Sequence, residues 1–135
     1  HCIIANGVTL AGHIKIDDFA ILEGLVAVQQ FVHIGAHSFI AGASLVRKNV
    51  PPYVKAAREP LAYIGINSVG LKRRGYTADD VSTIENIYKQ IYILNKNVSE
   101  GMSKVASSVA DGKLKSEIMD FINSSEKGVI RSSLS

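Results

Sequence analysis

An aliphatic side chain recurs at every sixth position over the first third of this 135-residue chain. The column consists of Ile4, Leu10, Ile16, Leu22, Val28, Ile34, Ile40 and Val46. An α-helix turns every 3.6 residues and cannot keep such a repeat on one side, whereas a strand can, because six is a multiple of its two-residue period. The pattern predicts one short strand per hexad, followed by a corner. Small residues suit such corners, and we expect the corners at Gly7, Gly12, Gly24, Gly35 and Gly42.

Three hexads that close a triangle form a coil of about 18 residues, and stacked coils pair as the strands of a parallel sheet do. The eight hexads make fewer than three such coils. That is short for a solenoid, because each repeat buries its apolar face only against its neighbours. We therefore expect residues 1–50 to be the C-terminal end of a longer solenoid, with further coils upstream.

The hexad pattern stops at Val50, and proline then occurs at positions 51, 52 and 60. Proline has no N–H group to donate to a strand ladder, so it disfavours continued pairing. We expect residues 51–66 to form an irregular connection that leaves the solenoid.

Helical periodicity follows this connection. A short helix is expected over residues 67–74, ended by Gly75, and a second helix starts at Thr77 with Asp80 as its capping partner. Three apolar stripes at helical spacing continue the pattern: Val81, Ile84, Ile87, Tyr88, Ile91 and Leu94; Val98, Met102, Val105 and Val109; and Leu114, Ile118, Phe121 and Ile122. The sequence predicts a small α-helical domain over residues 67–135.

Composition narrows the setting of the chain. Hydrophobic residues make up 47% and charged residues 20%, as in ordinary globular proteins. The single cysteine, Cys2, allows no internal disulfide, which fits a reducing compartment. No segment has the pattern of a signal peptide, and no apolar run approaches the roughly 20 residues of a membrane span. We expect a cytoplasmic protein that has no membrane span and needs no cofactor.

Positive charge is concentrated in residues 47–74, where seven lysines and arginines face one glutamate for a net charge of +6. The whole chain has a net charge of +3, so the remainder is acidic. A localised basic segment suggests an anionic partner, such as a phosphate or an acidic protein. Nucleic acid is not expected, because the segment lacks the interleaved pattern of aromatic residues that accompanies such binding.

Five motifs occur in an order that is more selective than the hexads alone. They are LAGHIKIDDFAILEG at residues 10–24, QQFVHIGAHSFIAGASLV at 29–46, VPPYV at 50–54, GLKRRGY at 70–76 and KGVIR at 127–131. This order resembles the C-terminal half of the bacterial UDP-N-acetylglucosamine O-acyltransferases, which begin lipid A synthesis. The resemblance implies a homotrimer of left-handed parallel β-helices with helical C-terminal domains, and active sites in clefts between subunits. It also implies transfer of a 3-hydroxyacyl group from acyl carrier protein to the 3-hydroxyl of UDP-N-acetylglucosamine.

The resemblance carries over to positions around the reacting groups. Gly12 matches a glycine whose backbone N–H holds the developing oxyanion, and His13 matches a histidine that lines the acyl and sugar pocket. Gln29 stands where many members have histidine, and Gln30 keeps the neighbouring glutamine. The family's general base is a histidine one coil upstream of the position of Cys2. We therefore expect the base to be absent from this chain, and the chain alone to have little or no activity.

Further positions are implied in substrate binding. Gly42 matches the residue that measures the acyl chain, and a glycine there implies a long 3-hydroxyacyl donor. Asn67, Arg73 and Arg74 match residues that bind the nucleotide, since guanidinium groups suit the two phosphates.

Other basic and titratable residues are assigned to the carrier protein or to the surface. Contact with the acidic carrier protein is expected at Lys48, Lys55 and Arg58. We expect His33 and His37 to be surface residues.

Two other interpretations remain open. One is a metal enzyme of the hexapeptide-type carbonic anhydrase kind, which takes three histidines across a subunit boundary. His13, His33 and His37 are sufficient in number for such a site. The other is a noncatalytic trimerisation module on the same scaffold.

Overall fold

The computed structural model describes residues 1–126 and 128–133, and residues 1–50 form a parallel β-solenoid. Its strands are β1 Ile3–Ile4, β2 Thr9–Leu10, β3 Lys15–Ile16, β4 Ile21–Leu22, β5 Ala27–Val28, β6 His33–Ile34, β7 Phe39–Ile40 and β8 Leu45–Val46. Each strand ends on a member of the aliphatic column. The prediction of one short strand per hexad is confirmed.

The strands form three faces, and we name them by their members. Face A contains β1, β4 and β7, face B contains β2, β5 and β8, and face C contains β3 and β6. All these pairings are parallel, and residues one coil apart stand in register, as Leu10 does with Val28 and Val28 with Val46. Leu22 and Ile40 are fully buried, whereas Ile4 in the first coil is 46% exposed. The inward column is therefore the solenoid core, and each buried member contributes about 1.5–3 kcal/mol.

The corners between strands place one residue per hexad at positive φ. These residues are Gly7, His13, Phe19, Leu25, Phe31, His37 and Ala43, with φ between 58° and 76°. All five glycines expected at corners lie between consecutive strands, but of these five only Gly7 takes the left-handed conformation. Gly12, Gly24 and Gly42 precede that position by one residue. A left-handed conformation costs a non-glycine residue about 1–2 kcal/mol, which the stacking of successive coils must offset.

The chain beyond the last corner continues face A instead of leaving it. Strand β9 (Val54–Ala57) pairs in parallel with β7, and β10 (Ala62–Ile66) pairs antiparallel with β9. The short strand β11 (Arg131–Ser132) pairs in parallel with β10. The prediction of an irregular connection over residues 51–66 is wrong. The three prolines lie outside both strands, so no ladder hydrogen bond is lost to them.

Four helices lie in the described residues of the part that the sequence assigns to a helical domain. They are α1 Ser68–Arg73, α2 Ala78–Tyr92, α3 Val98–Ser108 and α4 Lys113–Asn123. The expected capping pair is present, because Thr77 Oγ1 accepts from the Asp80 N–H while the Asp80 carboxylate accepts from the Thr77 N–H. Most stripe residues are buried, but Leu94 lies beyond α2 and is 59% exposed.

Helix α2 anchors the helical part to the strands through tyrosines. The Tyr88 hydroxyl donates to the Pro52 carbonyl, and the Tyr92 hydroxyl donates to the Ile130 carbonyl over 3.0 Å. The rings of Tyr63 and Tyr92 stack at 4.6 Å. Each buried hydroxyl thus has a partner while its ring adds apolar contact. In residues 1–126 and 128–133, none of the helices has the length and apolarity needed to cross a bilayer.

Candidate functional site

The predicted site residues lie on three different edges of the solenoid. We name an edge by the two faces that meet there: AB at residues 5–8, 23–26 and 41–44; BC at 11–14, 29–32 and 47–50; CA at 17–20 and 35–38. Gly12, His13, Gln29, Gln30 and Lys48 lie on edge BC, Gly42 lies on edge AB, and Asn67 and Arg74 contact edge CA. A single copy of the chain therefore does not bring all of these residues into one cleft.

Edge BC presents an open line of polar groups. A Cβ added to Gly12 would meet nothing nearer than the Gln30 amide nitrogen at 3.9 Å, so the space beside this backbone is free. The imidazole of His13 stacks on the Phe31 ring at 5.2 Å with an angle of 10° between the planes. The edge thus offers an accessible backbone next to a histidine that is held by a ring contact.

Two pockets adjoin edge BC along face B. The smaller, of about 200 Å³, is lined in part by Gln29, Leu45 and Arg47. The larger, of about 270 Å³, lies where β8, the turn at Pro60 and β11 meet. It combines four apolar side chains with three cations, and its lining is Leu45, Arg47, Lys48, Pro60, Leu61, Ile130 and Arg131. Leu45 and Arg47 line both pockets, so the two form neighbouring parts of one surface.

Gly42 lies in a tightly packed part of edge AB. A Cβ on this residue would lie 3.2 Å from the Gly24 carbonyl of the preceding coil. Its N–H also donates to the Glu23 carboxylate over 3.2 Å. Local packing is therefore one explanation for a glycine at this position. A role in measuring an acyl chain stays a prediction.

Edge CA contains a cluster that the sequence interpretation missed. His37 is only 8% exposed, so its expected place on the surface is wrong. Its Nδ1 lies 3.1 Å from Arg74 Nη1, and its Nε2 lies 3.2 Å from the Tyr76 hydroxyl. The rings of Phe19 and Tyr53 stack against it at 5.0 and 5.6 Å.

The spacing of ring residues along the sequence indicates this cluster. His1, Phe19 and His37 follow one another at the spacing of one coil, and the rings of His1 and Phe19 also stack, at 5.6 Å. Ring residues that recur at one coil spacing at a corner predict a stacked column. The same spacing relates His13 to Phe31 on edge BC.

The surroundings of His37 favour the neutral imidazole. Burial, and secondly the positive charge of Arg74, lower the pKa of His37 to about 4, against an opposing effect of Asp18. An arginine can only donate hydrogen bonds, so Nδ1 of this ring must accept from Arg74.

The three residues that the resemblance assigns to nucleotide binding differ in their exposure to solvent. Asn67 is 5% exposed; its amide nitrogen donates to the His37 carbonyl, and its oxygen accepts from the Gly70 N–H in the first turn of α1. Its side-chain groups therefore serve the fold. Arg73 is exposed, and Arg74 lines an open pocket of about 450 Å³. The other residues around this pocket are His1, Cys2, Ile3, Phe19 and Ile21.

The three histidines of the metal-enzyme alternative do not converge in this chain. His13 stacks on edge BC, and His37 is bound to Arg74 on edge CA. His33 lies on face C, half-buried rather than on the open surface as expected, and contacts the Asp17 carboxylate at 2.7 Å. Among the residues that the structure describes, no group of three or more histidine, cysteine or acidic side chains could hold a metal ion. The arrangement does not favour that alternative.

Two of the three cations expected to contact the carrier protein lie on or next to β9. Lys55 lies on this strand, with its Nζ 5.7 Å from the centre of the Phe39 ring, and Arg58 follows the strand in a left-handed conformation. Lys48 is separated from both by sequence and lines the larger pocket.

Comparison with protein families decides the classification. The family model described as Udp N-acetylglucosamine O-acyltransferase, Domain 2, matches residues 49–130. The chain belongs to this family. The recognition made from the five motifs is confirmed. The matched part of this acyltransferase-family chain includes β9, β10 and the helices α1 to α4, together with Asn67, Arg73 and Arg74.

Individual acyltransferases support the same classification. An acyl-[acyl-carrier-protein]–UDP-N-acetylglucosamine O-acyltransferase of Thiobacillus denitrificans is 39% identical over 129 residues, which are 96% of this chain and 50% of that protein. The solved UDP-N-acetylglucosamine acyltransferase of Bacteroides fragilis is 42% identical with a TM-score of 0.92, covering 96% of this chain and 51% of its own. That of Francisella novicida is 38% identical with a TM-score of 0.90, covering 98% and 49%. The chain spans about half the length of the relatives that it matches.

Proposed function

We propose that this chain is part of an enzyme that transfers a 3-hydroxyacyl group from acyl carrier protein to the 3-hydroxyl of UDP-N-acetylglucosamine in lipid A synthesis. The observation that carries the proposal is the family match over residues 49–130. Relatives at 38–39% identity bear names that state both the acyl carrier protein and the sugar nucleotide. The motifs around Gly12 and Arg74 are present in this chain and support the same reaction.

The nucleotide would bind beside α1. Arg73 and Arg74 follow one another at the end of this helix, and the guanidinium of Arg74 faces an open pocket. A guanidinium can donate two parallel hydrogen bonds to phosphate oxygens, which a lysine ammonium cannot do in the same geometry. The basic segment around these residues would raise the local concentration of the dianionic diphosphate.

The acyl group would react along edge BC. Attack of the sugar hydroxyl on the thioester carbonyl forms a tetrahedral oxyanion, and the Gly12 N–H would donate a hydrogen bond to it. The open space beside Gly12 leaves room for that approach. The apolar walls and cationic rim of the larger pocket suit an acyl group that is delivered by an acidic carrier. Lys48, Lys55 and Arg58 would contact the carrier.

The separation of these groups favours a site between subunits. Edges BC and CA belong to different corners of the same prism, so the nucleotide and oxyanion groups of one copy face different directions. In a homotrimer, edge CA of one copy could face edge BC of the next, and the two sets would then serve one substrate. The hydroxyl needs a general base, which we propose lies one coil upstream of Cys2 and outside this chain.

Acyl transfer from a 3-hydroxyacyl carrier protein to UDP-N-acetylglucosamine tests this function. We expect no turnover by the folded chain alone, and turnover once the coils that precede the matching region in its relatives are supplied. In that longer protein, Gly12→Pro, which removes the N–H, should abolish transfer. Turnover by the chain alone that His13→Ala removes would place the base within these residues. No transfer by the longer protein would instead support a noncatalytic trimerisation module.

A further inference from the structure

We propose that His37 is a positioning residue that holds the guanidinium of Arg74 in one orientation at the pocket on edge CA, ready for the diphosphate of a sugar nucleotide. The inference rests on the proposed function, because it assigns Arg74 a nucleotide ligand. It adds a residue that touches no substrate and acts only through Arg74. The sequence motifs gave His37 no such role.

Two contacts fix the Arg74 side chain. Its Nη1 donates to His37 Nδ1 over 3.1 Å, and its guanidinium carbon lies 5.3 Å from the centre of the Phe19 ring. A guanidinium has five N–H donors, so one bond to His37 leaves four for a ligand. The Phe19 ring covers one face of the group. Arg74 and Phe19 both line the open pocket of about 450 Å³, so a ligand in that pocket would lie beside the donors that remain.

The hydrogen-bond directions around His37 follow from the groups at the two ends. Because Arg74 can only donate, Nδ1 of the imidazole accepts, and the ring proton is on Nε2. That Nε2–H then donates to the Tyr76 hydroxyl at 3.2 Å. The Tyr76 hydroxyl donates towards the Tyr53 hydroxyl at 3.5 Å, and the Tyr53 hydroxyl donates to the Glu117 carboxylate at 2.7 Å.

This chain of donors selects one tautomer of the imidazole. A carboxylate can only accept, so Glu117 sets the direction at one end as Arg74 does at the other. The contact between the two tyrosines is at the outer limit of a hydrogen bond, and the contacts at both ends are shorter. A neutral ring with its lone pair on Nδ1 is the form that can hold Arg74. The geometry therefore makes the tautomer, and not merely the presence of a ring, the property that matters.

The charges that face His37 are consistent with this role. Arg74 faces it from the end of α1, and Asp18 acts on it from the neighbouring coil on edge CA. The rings of Phe19 and Tyr53 and the hydroxyl of Tyr76 also contact it. A protonated ring would place two cations in contact, so the arrangement requires the neutral imidazole.

Binding of UDP-N-acetylglucosamine to the chain, measured by isothermal titration calorimetry, tests the inference with four variants. His37→Phe keeps the ring contacts and removes the acceptor. His37→Asn restores an acceptor, and asparagine tolerates the positive φ of 59° at this position better than most residues. Arg74→Ala removes the ligand group. His33→Gln is a control, since it alters a second partly buried histidine that contacts Asp17 instead.

We expect His37→Phe to weaken binding on the order of ten-fold, because the arginine must then be ordered by the ligand itself. His37→Asn should recover most of that loss, and His33→Gln should cause none. In the Arg74→Ala background, His37→Phe should have no further effect. Nitrogen NMR of the wild-type chain should show a proton on His37 Nε2 and none on Nδ1. Thermal unfolding of each variant identifies any that fail to fold.

The outcomes separate the inference from the proposed function. Wild-type affinity in His37→Phe, an equal loss in the Arg74→Ala background, or a proton on Nδ1 would overturn the positioning role. If Arg74→Ala binds as well as wild type, or if the wild-type chain does not bind the sugar nucleotide, the nucleotide assignment itself fails and the positioning role fails with it.

Discussion

The hydroxyl of Tyr53 donates a hydrogen bond of 2.7 Å to the Glu117 carboxylate, and it joins residues 64 positions apart in the chain. Tyr53 follows the last corner of the solenoid and is 1% exposed, while Glu117 belongs to α4. Burial, together with the hydrogen bonds to Tyr76 and Glu117, raises the pKa of Tyr53 well above its usual range. The phenol is therefore protonated and a donor at neutral pH, and the bond couples the solenoid to the helical part.

Removing this bond should destabilise the whole fold rather than one helix. We expect Tyr53→Phe to lower the free energy of unfolding by about 1–2 kcal/mol, because the bond involves a charged partner. Glu117→Leu should have an effect of similar size, and the double variant should cost less than the sum of the two. Urea denaturation followed by circular dichroism measures all three. Additive losses would show that the two groups do not interact.

Gly35 should be among the least replaceable glycines. A Cβ there would lie 2.4 Å from the Pro52 nitrogen, which is backbone and cannot rotate away. We expect Gly35→Ala to lower the free energy of unfolding by about 2–3 kcal/mol. Gly12→Ala is the matched control, since its nearest neighbour would be 3.9 Å away, and its effect on stability should be below about 1 kcal/mol. Equal losses in the two variants would contradict this account of the corner.

The stability of the chain should fall with acid partly through His37. Its pKa in the folded state is about 4, below the ordinary value of 6.5. Between these two values the unfolded chain takes up a proton that the folded chain does not, so stability is complete above pH 6.5 and decreases as the pH falls to 4. The loss from this one group is about 3 kcal/mol.

Comparison with His37→Asn isolates this contribution, because asparagine does not titrate. Urea denaturation at several pH values between 4 and 7 should show a shallower loss of stability in the variant than in wild type. Parallel pH profiles for the two proteins would mean that His37 titrates normally in the folded chain.

Lys115 should stabilise the end of α3. Its Nζ donates to the carbonyls of Ala106 and Val109 and to the Asp111 carboxylate, at 3.3, 2.8 and 2.9 Å. Lys115→Met should cost about 1–3 kcal/mol, since carbonyl groups at a helix end lose their partner. Lys113→Met is the control, because this lysine is exposed at the start of α4. Thermal unfolding distinguishes the two, and an equal shift would contradict the capping role.

Much of the fold could be predicted from the sequence because its signal is periodic and local. The six-residue column places every strand of the solenoid, and the cap at Thr77 and Asp80 places the start of α2. The extension of face A by β9 could not be inferred in the same way. Its pairing with β7 depends on the path of the chain between Pro51 and Val54, and the sequence does not show that the prolines lie next to the strands rather than within them.

The candidate site could be predicted only in part, because some of its contacts join residues that are distant in the sequence. Motif resemblance implied a nucleotide role for Arg74, which stays a prediction, but it gave no sign of the contact between Arg74 and His37, which lie 37 positions apart. Asn67 is a residue whose polar type suits a ligand, and the structure shows that its side chain caps α1 and holds the His37 carbonyl. Residue type alone does not distinguish these two uses.

The most direct test of nucleotide recognition compares Arg74, at the end of α1, with Lys72, which lies on the helix. UDP-N-acetylglucosamine binding is measured by calorimetry for wild type, Arg74→Ala and Lys72→Ala; Lys72 is exposed, and its removal changes the net charge by the same amount. We predict that Arg74→Ala weakens binding on the order of ten-fold or more, while Lys72→Ala leaves it within about two-fold of wild type. Equal losses in both variants, or no binding by the wild-type chain, would contradict the account.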